Sequence, residues 1–275
     1  MDSPVHSRNS RPLWILAAAF AVCAALLRAY ILKNCFDQAG LLAAGSHALI
    51  WLMLLSAVCF AALLWFSLRL NRLPGTNDCL RVNGFVLFPL LLAAIGVFFG
   101  SLFRLLDEGR SMTQVERMAE LLGMLAAICM ALSALMRETL GKAGFWLLVP
   151  LTVYTGASLL IRFQDWSHEP MLIELVPELL TMICAMLTNA LVPGFMLGAG
   201  HRRSTVLFGL LTGFFAAMAL PDYLLGVKTA RSDLMIYLGL ALWAVVHAVL
   251  LLRRGVQDET AEPVVLPGSD GDFSL

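Results

Sequence analysis

Eight apolar runs separated by short polar connections dominate the chain. They fall at 13–32, 47–68, 82–103, 118–136, 143–161, 172–197, 205–225 and 234–252. About 20 apolar residues in a helix cross the roughly 30 Å hydrocarbon core of a bilayer, so each run predicts a transmembrane helix. The second, third, fifth and eighth contain no Lys, Arg, Asp or Glu. The fourth is weaker, because its uncharged part runs only over 121–136. The sixth is long, and Pro177, Pro193 and Gly194 predict a kink in it. Arg8 and Arg11 precede the first run in the manner of a secretory signal. No Ala-x-Ala cleavage pattern follows Arg28, Tyr30 and Lys33, which predicts an uncleaved first helix.

The expected fold class is therefore all-α, a polytopic transmembrane bundle of about eight helices. A cytoplasmic N-terminal segment spans 1–12 and the helical domain 13–254. The composition of 255–275 is acidic and rich in Pro, Gly and Ser, which predicts a disordered cytoplasmic tail. Composition agrees: 60% of residues are hydrophobic and 14% charged, against about 25% charged in soluble domains. Nineteen basic residues balance nineteen acidic ones, so nothing points to nucleic acid, and the expected partners are the lipid bilayer and a membrane protein or a second copy of the chain.

Charge placement predicts orientation. With the N-terminus inside, the inner segments hold Arg8, Arg11, Arg69, Arg72, Arg81, Arg137, Lys142, Arg202, Arg203, Arg253 and Arg254. That is 11 of the 19 basic residues, leaving 19 − 11 = 8 outside, and the positive-inside rule favours N-in, C-in. Trp14, Trp65 and Trp146 then lie at the inner interface, with Tyr30, Tyr223 and Tyr237 at the outer one. The outer ends and loops carry 11 of the 19 acids. Charges of both signs thus gather at one end of the helices.

Candidate chemistry follows that asymmetry. Arg28 ends the first span, and it either snorkels to water or pairs with an acid on a neighbouring helix. Leu102-Phe103-Arg104 and Leu160-Ile161-Arg162 echo Leu26-Leu27-Arg28, an echo that repeated hairpins would produce. The seventh span ends instead with Pro221-Asp222. Thr113 and Glu116 fit a capping box. Glu120, one turn deeper, needs a cation, which Arg104 or Arg117 supplies. Along the sixth span, Glu174, Glu178, Thr181, Ala185, Thr188 and Asn189 share one helical face. Such a face either binds an ion or polar solute or bonds to neighbouring helices, and both readings stay open.

The cluster Arg28, Tyr30, Phe36-Asp37 and Gly40-Leu41 after the first helix resembles uncharacterised multi-pass proteins of clostridial-type bacteria. The resemblance covers about the first 45 residues, and it implies a bacterial cytoplasmic membrane but no activity.

Gly96/Gly100 and Gly209/Gly213 are GxxxG pairs that let helix backbones approach, within the chain or between copies. The six cysteines and the scattered histidines show no zinc spacing, and no nucleotide, hydrolase or protease motif occurs. No metal or cofactor is expected. A permease or substrate-binding membrane subunit with an outward polar cavity leads. A structural or regulatory membrane component comes next, and an intramembrane enzyme acting on lipid last.

Overall fold

The computed structural model describes residues 11–35, 47–70, 80, 84–107, 112–136, 139, 141–166, 172–228 and 230–260. Among them, every extended element is a helix: α1 (Arg11–Asn34), α2 (Ala48–Leu68), α3 (Gly84–Asp107), α4 (Gln114–Leu135), α5 (Gly144–Trp166), α6 (Leu172–Leu191), α7 (Arg202–Leu224) and α8 (Arg231–Thr260). All eight expected spans are present, each long and apolar enough to cross a membrane.

The boundaries differ where capping and proline chemistry intervene. The α4 helix starts at Gln114, ahead of the apolar run. The Thr113 hydroxyl accepts the Glu116 amide hydrogen at 3.3 Å, and the Glu116 carboxylate accepts that of Thr113. The sixth span continues through Pro177 but ends as an α-helix at Leu191. A 3-10 turn, Val192–Leu197, follows and closes on Gly198 at φ +76°. Pro193 has no amide hydrogen, so the Asn189 carbonyl loses its helical donor. Thr152 of α5 replaces it with a hydroxyl bond of 2.8 Å. The last helix reaches Thr260. It covers 255–260 of the tail expected to be disordered, and 261–275 lie outside the described residues.

Successive spans alternate in direction. One end of the bundle carries the start of α1 and the end of α8, and the other carries the ends of α1, α3, α5 and α7 with the starts of α2, α4, α6 and α8. The latter is called here the charged end. The α7 and α8 helices are buried over most of their length, whereas α1 and α2 expose most of theirs. Side chains such as Phe85, Phe88, Ile95 and Phe99 on α3 face outward, where lipid replaces water as solvent. Trp14, Trp65 and Trp146 are exposed too.

Small residues decide what lies at the centre. A Cβ on Gly96 would lie 3.2 Å from the Met235 carbonyl, and one on Gly239 2.8 Å from that of Ala93. A Cβ on Gly209 would lie 2.7 Å from the Ala244 carbonyl. Both GxxxG pairs thus pack onto α8, α3 on one side and α7 on the other. Gly209→Ala is expected to destabilise the bundle by about 1–3 kcal/mol through overpacking, read as a lower thermal midpoint in detergent. Gly84→Ala, with open space at its Cβ, serves as the neutral comparison.

Candidate functional site

The central position of α8 brings its first turns against the ends of α3, α5 and α6. An unbroken line of polar contacts results. Glu120 of α4 accepts a 2.9 Å bond from Arg104 of α3, and Arg104 Nε lies 3.8 Å from Asp233 of α8. Asp233 also accepts from Arg162 of α5 at 2.7 Å. The other terminal nitrogen of Arg162 donates to the Tyr237 hydroxyl at 2.7 Å, and the guanidinium also lies over that ring. Tyr237 passes its own proton to Glu178 of α6 at 3.2 Å. Glu178 further accepts from Tyr223 at 3.0 Å and from Lys228 in the α7–α8 connection. Apart from this line, Arg28 of α1 grips Asp222 of α7 through two bonds of 2.9 and 3.1 Å.

The two systems hold four cations and four carboxylates, so they are charge-balanced. At the charged end, odd helices finish and even helices begin. Arg104, in the last turn of α3, and Asp233, in the first turn of α8, each meet the favourable end of a helix dipole. Asp222 departs from that arrangement, sitting at the end of α7, and it is the acid held by a bidentate arginine. Arg28 and Arg162 are nearly fully buried, as are Glu120, Glu178 and Asp222.

Most of the expected candidates meet in this network, with different roles. Arg28, Arg104, Arg162, Glu120, Glu178 and Asp222 are all ion-paired. Arg104, and not Arg117, binds Glu120. The three echoing arginines find carboxylates 194, 16 and 71 residues away, so the echo is not carried into a repeated pairing. Thr181 and Thr188 donate to carbonyls of their own helix, those of Pro177 and Cys184. This local bonding takes their protons away from the ligand role expected of that face. The Glu174 side chain lies outside the described residues, as do Phe36, Asp37, Gly40 and Leu41.

Residues that the sequence left in other roles complete the site. Tyr237, expected as an interfacial ring, is 2% exposed, because Arg162 and Glu178 both need its hydroxyl. Asp233 lies one turn before Tyr237 on α8, and that i, i+4 spacing was the available signal. Lys228 and Tyr223 arrive through the α7–α8 turn, which Gly226 closes at φ +75°.

Beyond the pairs, several buried polar atoms have no protein partner. Arg117 Nε and Arg162 Nε belong to the charged end, and Trp243 Nε1 lies further along α8; Glu120 and Ser158 lie beside the hydroxyls of Ser101 and Tyr154. Ser158 lies one turn from Arg162 on α5, and Tyr154, one turn further, bonds Ser101 at 3.2 Å. A further case is Asn189. It is 2% exposed, and neither its amide nitrogen nor its oxygen has a partner. It lies 11 residues beyond Glu178 on α6, roughly 16 Å deeper at 1.5 Å per residue. Thr181, Met182 and Ala185, all fully buried, occupy the stripe between them, with the Thr181 hydroxyl bonded to its own helix. Among the described residues, no three His, Cys, Asp or Glu side chains group to hold a metal ion.

Arg28→Met is expected to cost about 3–5 kcal/mol, because it leaves Asp222 charged and unpaired in a dry site. Adding Asp222→Leu is expected to restore most of that loss. Thermal unfolding of the single and double variants measures both, and a double variant no better than the single would contradict charge pairing as the cause.

Against family models, curated proteins and solved structures, the chain gives no match in any of the three comparisons.

Proposed function

We propose that the protein is a permease, or the substrate-binding membrane subunit of one, for a small polar solute or ion. Asn189 carries the reading. An amide with both polar atoms unpartnered in an apolar interior costs several kcal/mol against an apolar side chain of the same size. A protein that needed only stability would be better served by leucine there. Arg162 Nε, also without a hydrogen-bond partner, together with the neighbouring Glu120, Ser101, Tyr154 and Ser158 side chains, supplies a second polar station on the side of the charged end. Two stations separated by Met182, Ala185 and the internally bonded Thr181 suit a solute that moves in steps across the bundle.

The basic bias at the other end supports an N-in, C-in orientation with the charged end outside. The resemblance of the first 45 residues supports a bacterial cytoplasmic membrane. Both belong to the proposal. Exposed Asn34 and Lys142 lie at opposite ends of the bundle. In a chain otherwise free of cysteine, Asn34→Cys is expected to react with an impermeant maleimide in intact cells, and Lys142→Cys to stay protected. The reverse result inverts the orientation.

A second reading has its own support. Every carboxylate of the network has a cation, as expected of a structural or regulatory component whose charges only lock helices together. The two readings diverge at Asn189. Proteoliposomes offered a panel of amino acids, amines and inorganic ions are expected to accumulate at least one. Asn189→Leu is expected to abolish that uptake while leaving the thermal midpoint equal or higher. Full uptake by this variant, or no uptake of any panel member by the native protein, would favour the structural reading.

A further inference from the structure

Of the four cations in the charged network, three are arginines mounted on helices. The fourth, Lys228, differs in every respect that bears on exchange. It sits on a connection, its side chain is 20% exposed against 3% for its partner Glu178, and its cation is an ammonium. The seat it occupies is mounted on helices throughout. Glu178 projects from α6, Tyr237 from α8 and Tyr223 from the end of α7, and both hydroxyls donate to the carboxylate. These two bonds hold the carboxylate in place and leave it open to a cation at Oε1, where the Lys228 Nζ rests. Asp233 adds a second negative charge within electrostatic reach of the same ammonium.

A fixed carboxylate in a low-dielectric wall, filled by a compact ammonium on a flexible stem, has the chemistry of an amine-binding site. We propose that the Glu178–Tyr223–Tyr237 seat binds the primary ammonium group of the solute, and that Lys228 is a tethered competitor which the solute displaces. A quaternary ammonium has no N–H to donate. Displaced Lys228 sits at the outer edge of the network, where its charge returns to water at little cost.

This inference rests on the reading of the bundle as a solute-binding protein, and its test is separate from transport. The full chain in detergent is titrated with methylammonium chloride, with tetramethylammonium chloride as the control for ionic strength, and the thermal midpoint is followed. Lys228→Met removes the competitor, and Lys228→Gln does so while keeping an N–H donor for Glu178 should the first variant fold poorly. Saturable stabilisation by methylammonium is expected in either variant, with an apparent Kd at least about tenfold below that of the native chain, since a tethered competitor acts at millimolar effective concentration or above. Adding Glu178→Gln is expected to abolish it. No saturable effect in both lysine variants, or the same effect from tetramethylammonium or with Glu178→Gln present, would overturn the assignment. Methylammonium binding that meets these conditions in a chain without any uptake would uphold the seat and remove only the permease reading.

Discussion

A guanidinium inside a membrane-embedded bundle is stable only where a carboxylate is brought to it, and Arg162 sets the terms for this end of the protein. Its side chain is nearly fully buried. It reaches Asp233 and Tyr237 at 2.7 Å each. Both acceptors lie on α8, one turn apart, so the arginine dictates how α8 must be rotated against α5. Tyr237 then has one proton left to give, and Glu178 is there to take it. From one buried cation, the positions of a carboxylate, a phenol and a second carboxylate follow in sequence.

The glycines make that geometry reachable. Gly96, Gly100 and Gly239 allow α3 and α8 to touch backbone to backbone, and Gly209 does the same for α7 and α8. Lipid supplies no hydrophobic force between helices, so close backbone packing has to hold them. With α8 pinned between α3 and α7, Asp233 comes within reach of Arg104 as well as Arg162. Buried ion pairs of this kind repay their desolvation only partly, and packing is the better account of why the bundle holds. The ion pairs account for which arrangement of helices it adopts.

Two features stand outside that structural logic, and the functional reading rests on them. Asn189 has no protein partner for its amide, although the carbonyl of the same residue is satisfied by Thr152. Lys228 reaches into a seat that the helices hold open from three sides. The first is a cost without a structural return. The second is a contact whose cation is the one best placed to leave. They lie roughly 16 Å apart in depth along α6, with Met182, Ala185 and the internally bonded Thr181 between.

The sequence by itself determined the number of helices and which end gathers charge. Apolar run length against bilayer thickness is a local property, and so is the count of charges at each turn. It also marked Glu120, Glu178, Arg28, Arg104, Arg162 and Asp222, because an ionised group inside an apolar run stands out without any partner being known. The capping box at Thr113 and Glu116 was legible for the same reason, since both members lie within one turn. Tertiary structure alone decided the pairing. Arg28 meets Asp222 across 194 residues, and no spacing rule spans that distance. Tyr237 reads as an interfacial ring in sequence and becomes the link between Arg162 and Glu178 only once α8 is central. Whether a polar side chain inside a membrane bundle is satisfied or left without a partner depends on which helix stands opposite, and helix packing, not helix formation, makes that choice.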